Sequence, residues 1–170
     1  MSGDDADVVE ALFARHHPPL VRYLARLTGD PDLAADVAQE AFIRLLQRGP
    51  RDDGSRPWLF RVATNLVRDA ARRTRRRTVL GFRGRAHLSH GDPPASPDEA
   101  LERVASRRVV GDALDGLSDK ERRALLMREE GFKHREIAEA LGTTTGSVGT
   151  LLSRAIGKAA ERIGMPREEL

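Results

Sequence analysis

Apolar residues recur along this chain at helical spacing, and no stretch alternates long enough to build a sheet. From Val8 to Leu27 they mark one or two helices, broken near Pro18-Pro19, with Leu12, Phe13, Leu20, Tyr23, Leu24 and Leu27 as the expected core. Gly29-Asp30-Pro31 joins a stop to a start, with Asp30 placed as an N-cap and Pro31 at the first helical position. The next helix spans Asp32 to Gln47 and turns Val37, Ala38, Ala41 and Leu45 inward. Prolines and glycines between Gly49 and Pro57 predict a loop. A helix from Trp58 to Arg77 follows, its apolar stripe formed by Leu59, Val62, Ala63, Leu66 and Ala70.

Periodicity then lapses from Thr78 to Pro97, where Gly81, Gly84, Gly91, Pro93, Pro94 and Pro97 punctuate the chain. A structureless run of about twenty residues does not belong inside one compact domain, so it reads as a linker. Two capping boxes restart the helical pattern, at Ser96-Pro97-Asp98-Glu99 and at Ser118-Asp119-Lys120-Glu121, the second ahead of a helix from Glu121 to Glu129. Lys133 to Leu141 forms a short amphipathic helix with Ile137, Ala138 and Leu141 inward. Gly142 supplies a sharp turn, and Thr144 caps a helix from Thr145 to Ile163. Small Ala138 and inward Val148 and Leu152 suit two helices crossing steeply through a tight turn, a helix-turn-helix. The expected fold is therefore all-α. Two small helical domains, 1–77 and 97–170, are joined by a flexible linker at 78–96, and the second domain contains the helix-turn-helix.

Composition narrows the function classes. Of 170 residues, 32% are charged and 4% aromatic, so the core must be built from leucine, valine and alanine. The net charge is only +3, and its distribution matters more: residues 68–85 are heavily cationic, whereas residues 92–102 carry several acids. Absence of cysteine excludes disulfides and thiolate metal sites and fits a reducing compartment. No apolar run approaches the ~20 residues of a membrane span, and the acidic start MSGDDADVVEALF lacks the basic region of a signal peptide. A cytoplasmic protein without membrane insertion is expected.

The chemistry lies on helix faces. Opposite the apolar stripe of the Trp58 helix stand Arg61, Asn65, Arg68 and Arg72, extended by Arg75, Arg76 and Arg77. Such a row tracks phosphates, and the Asn65 amide can read a base edge. Trp58 reads as a core anchor at the start of that helix. In the second domain Thr145, Ser147, Thr150, Arg154 and Lys158 face outward, as suits a helix in a major groove. Catalysis finds no support. His16 and His17 are adjacent and diverge on a helix, while His87, His90 and His134 lack neighbours at metal-ligand spacing. Gly81-Phe82-Arg83-Gly84 lacks the strand–loop–helix setting of a phosphate loop. No enzyme activity, cofactor or metal is expected.

Together these segments resemble the extracytoplasmic-function (ECF) sigma factors of bacterial RNA polymerase. Asp36 to Phe42 (DVAQEAF) is similar to the family's DxxQExF helix, and Trp58 to Asn65 (WLFRVATN) to its WLxRIAxN helix. Leu117 to Arg154, with EIAEALG at Glu136 to Gly142, follows its C-terminal module. The resemblance covers nearly the whole chain and implies a promoter-specificity factor. Its partners would be promoter DNA and core RNA polymerase, engaged at the β′ coiled coil and the β flap. Many relatives are also held by an anti-sigma factor.

By resemblance, Asp36, Gln39, Glu40 and Ile43 would dock on the β′ coiled coil. Arg61, Asn65, Arg68, Arg72, Arg75 and Arg76 would handle the −10 element and the melted non-template strand. The loop residues Gly49, Arg51, Asp52, Asp53, Gly54, Ser55 and Arg56 would hold a flipped base. Lys133, Arg135, Thr144, Thr145, Ser147, Thr150, Arg154 and Lys158 would read the −35 element. One departure stands out: Gly149 and Leu151 occupy positions where the family commonly has Lys and Arg. Either −35 binding is weaker, or Lys133, Arg135 and Lys158 compensate, or Leu151 faces a protein.

Two other readings fit the same residues. A stand-alone helix-turn-helix regulator would bind a palindromic operator without polymerase. An arginine-rich adaptor would bind structured RNA through residues 68–85.

Overall fold

The computed structural model describes residues 3–49, 54–79, 111 and 113–164, and every described element is helical. The chain divides into two compact units, Met1–Ser89 and His90–Leu170. The first contains α1 (Gly3–Thr28), α2 (Pro31–Arg48) and α3 (Ser55–Val79). The second contains α4 (Asp119–Glu129), α5 (His134–Leu141) and α6 (Thr145–Ile163). The Ser96 capping box and most of the expected linker lie outside the described residues; Thr78 and Val79 belong to α3.

Helix α1 runs unbroken through Pro18 and Pro19, so the expected interruption is absent. A mid-helix proline removes a hydrogen bond and costs about 3 kcal/mol. The carbonyls it deprives, on Ala14 and Arg15, belong to exposed residues that water can serve. The opposite face buries Leu12, Leu20, Tyr23 and Leu24 against the rest of the unit. Phe13, expected inside, is 45% exposed. Its ring instead stacks on His17 at 4.3 Å and meets Phe42 of α2 at 4.9 Å.

Asp30 caps α2 as the sequence predicts: its Oδ1 accepts from the Leu33 N–H at 3.0 Å, with Pro31 in the first turn. Val37, Ala38, Ala41 and Leu45 are all buried, joined by Ala34 and Phe42. Helices α1, α2 and α3 each pack on the other two. At their centre Tyr23 lies 5.0 Å from the Phe60 ring, and its hydroxyl is 2.9 Å from Thr64 Oγ1. Thr64 donates its own proton to the Phe60 carbonyl at 2.7 Å, which leaves Tyr23 as the donor between the two hydroxyls.

In the second unit, α4, α5 and α6 pack mutually around Met127, Phe132, Ile137, Val148 and Ala155. Ser118 and Glu121 form the expected capping box: Ser118 Oγ accepts from the Glu121 N–H at 3.3 Å, and the Glu121 carboxylate from the Ser118 N–H at 2.8 Å. Helix α4 therefore opens at Asp119, two residues ahead of the expected start.

Candidate nucleic-acid and polymerase interface

Three helix faces carry the residues singled out by the sequence. On α3, Leu59, Phe60, Ala63 and Thr64 are buried, while Val62, Leu66 and Ala70 are only half-buried. The core-facing stripe is thus rotated from the expected one, because Phe60 and Thr64 turn toward Tyr23. Arg61, Asn65, Arg68 and Arg72 remain together on the exposed side, about 16 Å from first to last at ~1.5 Å per residue. Arg72 stands 3.7 Å from Asp69 in a solvent-exposed pair that leaves its charge weakly committed. Arg75 and Arg76 continue α3, and their side chains lie outside the described residues.

The connection between α2 and α3 is shorter than expected. Gly49 ends α2 with φ +87°, and Gly54 precedes α3 with φ +85°; both conformations favour glycine. Ser55 and Arg56, expected in the base-holding loop, instead form the first turn of α3, with Ser55 buried. Pro57 falls in that same first turn, where an N–H has no intrahelical acceptor, so it does not oppose the helix. The first helical bond joins the Trp58 N–H to the Gly54 carbonyl at 3.2 Å. Arg51, Asp52 and Asp53 lie outside the described residues. Trp58 is half-buried rather than a fully enclosed anchor. The Arg48 guanidinium covers its ring at 4.7 Å, a contact that helical periodicity did not reveal.

On α2, Asp36, Gln39 and Ile43 are exposed and share one face with the half-buried Glu40. Glu40 pairs with Arg44 at 2.8 Å one turn on. Leu46, unremarked in the sequence, is 42% exposed beside Ile43 at 41%. The face therefore combines two carboxylates, an amide and apolar side chains.

In the second unit Gly142 adopts φ +63° at the end of α5, and the Thr143 N–H reaches back to the Ala138 carbonyl at 2.9 Å. Thr144 then caps α6, its Oγ1 accepting from the Ser147 N–H at 3.2 Å. Val148 and Leu152 pack inward with Ala138, and Lys133, Arg135, Thr144, Thr145, Ser147, Thr150 and Arg154 are exposed. Ser153, missed in the sequence, joins Thr150 and Arg154 on that surface. A Cβ built on Gly149 would meet nothing within 4 Å, so that part of the helix is bare.

Lys158 requires correction. Its Nζ donates to both oxygens of the Glu121 carboxylate, at 2.8 and 3.0 Å. Glu121 is buried, and the Lys158 hydrogen bond, followed by the Ser118 N–H, holds its carboxyl below the ordinary glutamate range against the opposing cost of burial. A lysine committed to a buried carboxylate is a brace between α4 and α6, not a phosphate contact.

Among the described residues no helix is long and apolar enough to cross a membrane, and no cluster of three or more potential metal ligands occurs.

Comparison with known proteins finds relatives along nearly the whole chain. Residues 12–77 match Sigma-70 region 2, and residues 107–158 match Sigma-70 region 4. The chain is 34% identical to the ECF RNA polymerase sigma factor SigL of Mycobacterium tuberculosis over 172 aligned positions, covering 96% of this chain and 94% of the relative. It is 32% identical to the RNA polymerase sigma factor CarQ of Myxococcus xanthus, covering 93% and 90%. Among solved structures, the Bartonella quintana sigma factor RpoE, crystallised with the anti-sigma factor NepR, shares the fold. That match has a TM-score of 0.68 at 19% identity and covers 95% of this chain and 99% of the other. Matched in order by both sigma regions and along nearly its whole length by such relatives, the chain belongs to the ECF sigma factors of RNA polymerase.

Proposed function

We propose that this protein binds core RNA polymerase in the cytoplasm and directs promoter-specific initiation as a binding factor rather than an enzyme. In this reading the first unit docks on the β′ coiled coil through Asp36, Gln39, Glu40 and Ile43 of α2. Its α3 then handles the −10 element and holds the melted non-template strand. The second unit sits at the β flap and presents α6 to the −35 element through Thr145, Ser147, Thr150 and Arg154, with Lys133 and Arg135 at the rim. An anti-sigma protein, as seen with the Bartonella quintana neighbour, is the corresponding kind of controlling partner.

The observation that carries this reading is the split character of α3. Its buried Leu59, Phe60, Ala63 and Thr64 fix the helix in the unit, leaving Arg61, Asn65, Arg68 and Arg72 together in solvent. Separated strands offer phosphates at the spacing such a row can follow and unstacked base edges that an amide can read.

The test is transcription by core polymerase reconstituted with this protein on a pool of random-sequence templates. Transcripts should enrich a two-part upstream motif, and the free protein should bind the selected duplex poorly. Tight, sequence-specific duplex binding by the free protein, with no transcripts from the reconstituted enzyme, supports the stand-alone regulator instead.

A further inference from the structure

Two stripes compete to face the core along α3. Spacing in the sequence favours Leu59, Val62, Ala63, Leu66 and Ala70. The fold instead buries Leu59, Phe60, Ala63 and Thr64, and leaves Val62, Leu66 and Ala70 half-buried. At about 3.6 residues per turn the two stripes point roughly 70° apart. The helix is therefore held away from the setting that its own apolar pattern prefers.

What holds it is a pair of hydroxyls reaching across from α1. The Tyr23 ring lies 5.0 Å from that of Phe60, and the Tyr23 hydroxyl donates to Thr64 Oγ1 at 2.9 Å. Thr64 donates onward to the Phe60 carbonyl at 2.7 Å, so its hydroxyl is fixed in direction and presents a lone pair to α1. Turning α3 toward its apolar stripe would carry Thr64 away from Tyr23 and forfeit this bond in a buried setting. Asn65 follows Thr64 by one residue and stands opposite the observed stripe. With the apolar stripe inward, Asn65 would swing to the flank, its tip displaced by about 6 Å on a helix roughly 11 Å across.

We propose that Tyr23 is a positioning residue for the strand-holding face: through Thr64 it fixes the rotational setting of α3 and so aims Asn65 at the melted strand. The proposal rests on the reading of α3 as that face. Tyr23 and Thr64 are both buried, so they act through Asn65 and not on the DNA.

The test compares Tyr23→Phe, which keeps the ring and removes only the hydroxyl, with Thr64→Ser, which keeps the acceptor. Core polymerase reconstituted with each full-length variant is assayed for permanganate reactivity on a promoter selected as above. Tyr23→Phe should lower reactivity about three- to tenfold, the scale of one hydrogen bond, and Thr64→Ser should stay near wild type. In an Asn65→Ala background Tyr23→Phe should add no further loss, because both act through one side chain. The chain lacks cysteine, so Leu66→Cys supplies a single thiol that reports the rotation. Its labelling by a maleimide, measured well below the melting temperature, should slow severalfold when Tyr23→Phe is added, as position 66 turns inward. Unchanged or faster labelling, or a loss of opening that adds in full to that of Asn65→Ala, makes Tyr23 a stabiliser only and overturns the proposal. Undiminished opening with Asn65→Ala overturns the strand-holding reading and this inference with it. A loss with Asn65→Ala but none with Tyr23→Phe overturns the positioning role alone.

Discussion

Lys158 on α6 reaches the buried carboxylate of Glu121, 37 residues earlier, with Nζ 2.8 Å from Oε2. The same carboxylate accepts the Ser118 N–H, so one side chain caps α4 and ties it to the helix proposed to read DNA. Geometry at the α6 surface therefore depends on a pair engaged within the unit itself.

This pair sets a pH and mutation response. Because the Glu121 pKa is lowered on folding, its contribution is fully present above the ordinary value of 4.5 and is lost as pH falls through the lower folded value. Glu121→Ala removes both cap and brace and should cost about 2 kcal/mol. Lys158→Ala, at the half-exposed end of the pair, should cost about 1 kcal/mol or less. Acid and thermal melts of the variants check both figures. The salt dependence of promoter binding should be unchanged by Lys158→Ala; a slope reduced by a full unit returns Lys158 to the DNA.

The bare helix at Gly149 predicts a gain. Its backbone is not left-handed and a Cβ there meets no atom within 4 Å, so Gly149→Ala should stabilise the second unit by about 0.5–1 kcal/mol. Gly149→Lys should in addition tighten binding to promoters that have a −35 element. By contrast Gly142, at φ +63°, should not tolerate alanine, and Gly142→Ala should cost about 1 kcal/mol in melting experiments.

The Tyr23–Thr64 hydrogen bond predicts a loss at the centre of the first unit. Thr64→Val keeps the shape of the side chain but removes the acceptor for the Tyr23 hydroxyl in a buried setting. Denaturant unfolding should show a cost of about 1–2 kcal/mol.

What was legible in the sequence was whatever is local. Val37, Ala38, Ala41 and Leu45 all proved buried because a 3.6-residue period speaks directly about one face of one helix. Asp30, Ser118, Gly142 and Thr144 cap or turn where expected because each bonds within a few residues of itself. Position in the chain misled where tertiary burial outweighs local cost, as at Pro18-Pro19, or where a proline costs nothing, as at Pro57. Partners on other helices left no periodic trace. Glu121 for Lys158, Tyr23 for Thr64 and Arg48 for Trp58 became visible only in three dimensions.

The arginine row predicts a salt response. If Arg68 and Arg72 meet phosphates, Arg68→Ala with Arg72→Ala should lower the log–log salt slope of promoter binding by about 1.4–1.8 units, near 0.7–0.9 per contact. The Arg72–Asp69 pair is exposed and should not blunt this effect.

The central claim, that the solvent face of α3 holds the separated strand, is tested most directly by permanganate footprinting of promoter complexes formed with Asn65→Ala. Thymine reactivity across the −10 region should fall about tenfold, a loss of one base-edge contact, while affinity for core polymerase stays at the wild-type value. Undiminished reactivity, or a loss that follows entirely from weakened core binding, contradicts the account.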